Sequence, residues 1–254
     1  MALDREGMSP SEVAESFTRC YGLLPIVVMK CDASILGCDL LHRARWVDAS
    51  NEDVGSLDTY CYPPSLDKQV MGRANLAGCP VFYTCADARS SIREASHSRR
   101  NGHDLFRSEW AFSDGEPWQM APLIPHDRVE NMGIPFQAAW REAMAEYTLR
   151  TGSMPSDHLI ALHNCIAELF FSQSYEVTSW VAHRIMQELG AAEMLIYPSL
   201  MADEKDLCHA FHTRPIDQHR VELKRVVQLH PEQGELTPLK VGTANGGVVH
   251  WTSI

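Results

Sequence analysis

The chain alternates between short apolar runs and longer stretches in which apolar residues return every three or four positions. That mixture predicts strands and helices interleaved without a regular repeat. Ser9-Pro10-Ser11-Glu12 carries a serine cap, a first-turn proline and a glutamate three after the cap, and predicts a helix to about Tyr21. Ile26 to Met29 reads as a short strand. Asp48 to Tyr60 is polar and reads as a loop. Pro80 to Cys85 is a strand built on Val81, Phe82 and Tyr83. Asp87 is a good cap for a following helix, in which Ala88, Ile92 and Ala95 fall on one face and Glu94 lies at its flank.

Residues 102 to 133 mix glycine and proline with charged and aromatic residues, and read as irregular. Three helices follow. The first, about Pro135 to Arg150, places Phe136, Ala139, Trp140, Ala143, Met144 and Tyr147 on its apolar face, with Gly152 as its stop. The second runs from about Pro155 to Phe171, and the third from about Thr178 to Leu189. Met194 to Tyr197 reads as a buried strand closed by Pro198, Val221 to Leu229 as another, and Asn245-Gly246 as a final hairpin. Strands and helices without βαβ alternation make an α+β fold.

Composition narrows the function. Of 254 residues, 45% are hydrophobic, enough for a packed core. The net charge of −11 argues against nonspecific binding to nucleic acid or to an anionic membrane surface. An anionic ligand would need a local cluster of arginines, and Arg43, Arg45 and Arg73 are available. No stretch is long and apolar enough for a transmembrane helix. The eight cysteines form no C-x-x-C, and Met1-Ala2-Leu3-Asp4-Arg5-Glu6 lacks the basic and apolar regions of a secretory signal. Free thiols in a reducing cytoplasm are therefore expected. Twelve histidines invite a metal reading. However, His158 and His163 are five apart, and Cys208-His209 with His212 has no second pair beside it, so no metal site is expected. A Gly-x-Ser-x-Gly elbow, a Walker loop and a G-x-G-x-x-G are all missing from the sequence.

The motifs with most chemistry are Gly72-Arg73-Ala74-Asn75 running on to Pro80-Val81-Phe82-Tyr83, then Ser91-Ile92-Arg93-Glu94, then Tyr175-Glu176-Val177-Thr178, then Met194-Leu195-Ile196-Tyr197-Pro198-Ser199. An arginine can fork onto a pyrophosphate, and a tyrosine can stack on a flat ring. A glutamate can hold ribose hydroxyls or favour positive charge on a sugar. In this order the motifs resemble the RES domain family, as does Leu41-His42-Arg43-Ala44-Arg45. The resemblance covers roughly Leu41 to Phe211.

The resemblance implies an ADP-ribosyltransferase-like fold: a split β-core with peripheral helices and a helical insertion at about residues 100–175. Residues 1–40 would be an N-terminal extension, 41–215 the RES-like domain, and 216–254 a C-terminal strand and tail. It implies an enzyme that degrades NAD by phosphorolysis, with NAD and inorganic phosphate as substrates and no metal, giving nicotinamide and ADP-ribose 1″-phosphate. Arg73, Glu94 and Tyr83 would be catalytic. Arg43, Arg73, Tyr83 and Ser199 would bind NAD, and Asn75 would organise the loop after Arg73. Members of the family commonly act as toxins, so the resemblance leaves room for an antitoxin protein covering the site, and for a homodimer. An NAD glycohydrolase, an ADP-ribosyltransferase and a catalytically silent partner-binding domain remain as alternatives.

Overall fold

The structure is a computed structural model, which describes residues 26–63, 71–96, 103–113, 115–151, 156–171, 175–199, 201, 206–232 and 235–254. The expected helix at Ser9–Tyr21 and the stop at Gly152 lie outside them. In chain order the strands are β1 (Met29–Cys31), β2 (Leu41–Val47), β3 (Val81–Cys85), β4 (Asp104–Phe112), β5 (Trp118–Pro122), β6 (Met194–Pro198), β7 (Leu207–His212), β8 (Val221–Glu232), β9 (Glu235–Asn245) and β10 (Val248–Ser253). The α-helices are α1 (Ala88–Ser96), α2 (His126–Val129), α3 (Ile134–Thr151), α4 (Ser156–Leu169), α5 (Tyr175–His183) and α6 (Thr213–Asp217). The fold is mixed α+β. The chain divides into two compact units. One takes in the described residues of Met1–Cys31, Ser65–Pro80 and Trp118–Tyr197. The other takes in those of Asp32–Pro64, Val81–Pro117 and Pro198–Ile254.

In the first unit, β1 pairs antiparallel with β5, and β5 pairs parallel with β6. β6 is buried along its whole length. Its unbroken run Met194-Leu195-Ile196-Tyr197 is the pattern of a parallel strand covered on both faces. Helix α3 buries Phe136, Trp140 and Ala143 at the spacing that the sequence predicts. Trp140 stacks on His163 of α4, with ring centroids 4.6 Å apart, and the His163 ring is held 2.9 Å from the Ile124 carbonyl. α5 passes into a π-turn at Arg184–Glu188, and the helical run ends just before Gly190.

The second unit is an antiparallel sheet in the order β7-β3-β2-β4-β8-β9-β10. β2 and β3 share a single pair, His42↔Cys85. Helix α1 lies on one face of this sheet, where Ile92 and Ala95 pack with Trp46, Leu105 and Val227, and Trp46 Nε1 donates to the Ala95 carbonyl. The β9–β10 turn is Gly246-Gly247, both at positive φ (58° and 82°), as a two-residue hairpin with right-twisted strands requires. Asn245 is therefore the last residue of β9 and not a turn residue.

The stretch at 102–133 departs from its expectation: it carries β4 and β5, and β4 lies inside the second unit's sheet. Two features hide β4 in the sequence. Leu105 and Phe106 are both buried, and so are Ser108, Glu109 and Trp110 in a row, so burial along the strand does not follow a period of two. Its charges are also paired, since Arg107 Nη2 donates to Glu109 Oε1 at 2.8 Å. The strand at Ile26–Met29 starts later than expected, at Met29.

Candidate functional site

In the second unit, Asp87 caps α1 as expected. Its Oδ1 accepts from the backbone amides of Arg89 (2.9 Å) and Ser90 (3.0 Å). The cap fixes where the helix begins and hence which residues face the sheet. Glu94 is half-buried and points at the segment after Pro198. Ser199 Oγ donates to Glu94 Oε1 at 2.5 Å, and Cys208 Sγ of β7 lies 3.8 Å from the same oxygen. Ser199 is completely buried; its amide donates to the Asp206 carbonyl (2.8 Å), and its hydroxyl accepts from the Met201 amide (3.2 Å). Ser90 Oγ donates to Asp206 Oδ2 at 2.6 Å. Asp206 thus ties α1 to the segment that carries Ser199. Among the described residues, Glu94 Oε2 makes no hydrogen bond. The carboxylate is oriented through one oxygen, and the other is left for a hydroxyl or for developing positive charge.

Tyr83 lies on the same face of the sheet as this pair. The β3–β7 register sets Tyr83 opposite Ala210 and Cys85 opposite Cys208, and Cys208 reaches Glu94. Arg43 does not share that face. His42 pairs with Cys85, so Arg43, the next residue, projects to the other side, where its guanidinium sits 5.5 Å from the Phe82 ring centroid. Its Nη1 reaches the Tyr83 backbone carbonyl at 3.1 Å, and its Nε is buried without a hydrogen-bond partner. Burial, and then the charge of Arg45, push the Arg43 pKa down to about 10, so it stays a cation at neutral pH. Arg45 is on Arg43's face, as strand alternation predicts, and is committed to structure: it donates to the Thr59 carbonyl and to Glu52 Oε2, both at 2.6 Å. The structure therefore brings Glu94 and Ser199 together, sets Tyr83 on their face, and places Arg43 on the opposite one.

Arg73 belongs to the first unit. It follows Gly72 in a turn closed by the backbone bonds Gly72 N to Asn75 O (3.0 Å) and Asn75 N to Gly72 O (3.5 Å). Asn75 Nδ2 donates to the Leu76 carbonyl at 3.1 Å, which makes Asn75 an organiser of this loop. Arg73 is only 8% exposed, yet its Nε has no hydrogen-bond partner and, among the described residues, no carboxylate pairs with it. Its guanidinium lies 5.4 Å from the centroid of the Tyr197 ring, which in turn packs 5.7 Å from Phe170. A buried guanidinium that finds no carboxylate among the described residues can pair with an anion.

Among the described residues, no three His, Cys, Asp or Glu side chains group as a metal set. Cys208 and His209 are neighbours on a strand and face opposite sides: Cys208 turns to Glu94, while His209 turns to Thr84 (3.4 Å). His212 Nδ1 accepts from the Arg214 amide at the start of α6. An open cavity of about 930 Å³ in the second unit is lined by Asp58, Cys61, Tyr62, Trp110, Asp217 and their neighbours, and by none of the residues singled out above. Cys208, Asp206 and Tyr197 join the sites without having been singled out as site residues from the sequence.

Compared with protein-family models and with curated proteins, the chain matches none.

Proposed function

We propose that the protein is an enzyme that cleaves the nicotinamide–ribose bond of NAD, with inorganic phosphate as the acceptor. The observation that carries this reading is the hydrogen bond from Ser199 to Glu94, which joins two of the three RES motif residues across 105 positions. The single β2–β3 pair also suits an ADP-ribosyltransferase-like split core.

Breaking the bond builds positive charge on the ribose ring. Glu94, held through Oε1, offers its second oxygen to a ribose hydroxyl and favours that charge electrostatically. Ser199 keeps the carboxylate oriented, so little reorganisation is needed during reaction. Tyr83 is assigned to stacking on the nicotinamide ring. Arg73, a buried cation with no counter-ion among the described residues, is assigned to the pyrophosphate, where its planar fork makes paired hydrogen bonds. Arg43 is assigned to bracing Tyr83 through its backbone carbonyl. Nicotinamide is an activated leaving group, so the reaction needs neither a metal nor a covalent nucleophile.

The reading places the protein in the cytoplasm, where NAD is. Draining that pool calls for restraint, and an antitoxin protein covering the cleft is one partner that would supply it. No helix among the described residues is long and apolar enough to cross a membrane.

The test is to incubate the pure protein with NAD, with and without phosphate, and to follow nicotinamide and the ribose product. Nicotinamide release that depends on phosphate supports the proposal. Release without phosphate makes the protein a glycohydrolase, and a labelled macromolecule makes it an ADP-ribosyltransferase. No turnover in any arm overturns the assignment.

A further inference from the structure

Cys85 and Cys208 stand directly opposite each other on β3 and β7, with their sulfurs 3.3 Å apart. The amide of Ala86 donates to the Leu207 carbonyl at 2.9 Å, so the ladder's hydrogen bonds flank this pair and do not join it. That is the position in an antiparallel ladder where opposed residues come closest, with Cα atoms about 4.5 Å apart. It falls at the short end of the Cα range that a disulfide spans, about 4.4–6.8 Å. Reaching the bond length of about 2.05 Å needs each sulfur to move about 0.6 Å along the line between them. Neither cysteine is in a disulfide, and both are buried, at 5% and 3% exposure. The sulfurs lie on the α1 face of the sheet, and Cys208 also touches Glu94 Oε1.

We propose that Cys85 and Cys208 are an oxidative modification site that closes reversibly to a cross-strand disulfide. The oxidant is a hydroperoxide, with hydrogen peroxide as the simplest. The Cys208 sulfur attacks one peroxide oxygen, the O–O bond breaks, and one water leaves, so that the sulfur becomes a sulfenic acid. The Cys85 sulfur then attacks the Cys208 sulfur, the S–O bond breaks, and a second water leaves with the Cys85 proton. In sum, two thiols and one hydrogen peroxide give one disulfide and two waters. The two electrons lost by the sulfurs reduce the peroxide. A dithiol such as dithiothreitol restores the pair by exchange.

Closure ties β3 to β7 covalently and removes the Cys208 thiol proton from Glu94, leaving Ser199 as the donor to Oε1. The modification itself does not rest on the NAD reading, and its readout is chemical.

The experiment treats the full chain with hydrogen peroxide, quenches, unfolds it in the presence of an alkylating agent, and maps its peptides by mass spectrometry, with exposed Cys165 as an internal control for reagent access. The expected result is a joined Cys85–Cys208 peptide pair lighter by two hydrogens, at least about tenfold more abundant than any other crosslink and lost on dithiothreitol treatment. Cys85→Ser should abolish the crosslink and leave Cys208 trappable as a sulfenic acid by a cyclic dione. The proposal is overturned if wild-type Cys85 and Cys208 are both recovered alkylated, or if Cys208 is oxidised without joining Cys85, under conditions that oxidise Cys165.

Discussion

The hydroxyl of Ser199 donates to Glu94 over 2.5 Å, although the two are 105 positions apart in sequence. The serine is fully buried and the glutamate half-buried, so the bond fixes the carboxylate at the edge of the core without removing it from solvent. A carboxylate held in this way acts by charge and position. Glu94→Gln keeps the shape and one acceptor oxygen but loses the charge. On the proposed reading, its NAD turnover is expected to fall by about 10²-fold or more, with a much smaller change in NAD affinity. Glu94 lies at the flank of the stripe by which α1 packs, so the variant should fold. Wild-type turnover in a folded Glu94→Gln protein would falsify the catalytic role.

Arg73 allows a test of binding alone. Arg73→Ala should weaken NAD binding by about 2–4 kcal/mol, the range for truncating one partner of a desolvated charge pair. Arg73→Lys should lose less, because lysine keeps the charge and loses the fork. Calorimetric titration with NAD separates the two variants. Equal affinity in the wild type and both variants would remove Arg73 from the pyrophosphate.

Much of this arrangement was legible in the chain, and what was missed has physical causes. The strand–cap–helix run from Val81 through Asp87 to Glu94 follows local rules, and so do the helical stripe of Phe136, Trp140 and Ala143 and the buried run of β6. β4 was not legible, because residues on both its faces are buried and its charges pair within the strand. Arg43 was assigned to NAD binding by motif. The side to which it points depends on which β2 residue pairs with Cys85, a long-range choice that no local pattern carries. The burial of Arg73 beside the Tyr197 ring was equally invisible, since it depends on a contact between residues far apart in sequence.

Two buried histidines make stability depend on pH. Burial pushes His209 down to about 3; burial likewise pushes His163 down to about 4, against the hydrogen bond to Ile124. A histidine whose folded pKa lies below its unfolded value of about 6.5 is neutral in the fold and takes up a proton on unfolding. Its contribution is therefore whole above pH 6.5 and is lost as the pH falls towards 4 and 3. At pH 5 each histidine should cost about 2 kcal/mol relative to neutral pH. Urea unfolding across this range should show stability falling with pH, and His209→Leu should reduce the slope by about one proton. An unchanged slope in that variant would show that His209 binds its proton equally in the folded and unfolded states, so that burial does not depress it.

The hairpin at the end of the chain closes on a glycine. At Gly242, which pairs with Trp251, an added Cβ would meet Val249 Cγ1 at 2.3 Å and the Trp251 ring at 3.3 Å. Trp251 is pinned in turn, by its Nε1 bond to the Val54 carbonyl (3.0 Å) and an edge contact with Phe106. Neither neighbour yields easily, because valine is stiff at χ1 and the indole is held at both ends. Gly242→Ala should cost about 1–3 kcal/mol, the range for overpacking. A melting temperature within error of the wild type would show that the hairpin can shift away from the methyl group.

Arg43 separates a brace from a ligand. Its guanidinium stacks on Phe82 and holds the Tyr83 carbonyl from the face opposite Glu94. Arg43→Met keeps most of the stem over the ring and removes both the charge and the hydrogen bond. The hydrogen bond and the cation–π contact are each worth about 1 kcal/mol, so a loss of about 1–3 kcal/mol in urea unfolding is expected. The NAD dissociation constant should change by less than about threefold, well short of the effect of Arg73→Ala, because the cation lies on the far side of the sheet. Turnover should fall modestly through the loosened Tyr83, and Arg43→Lys should restore part of it. If Arg43→Met weakens NAD binding as much as Arg73→Ala while stability is unchanged, Arg43 is a ligand of NAD, and the division between the two faces of the sheet does not describe how the site works.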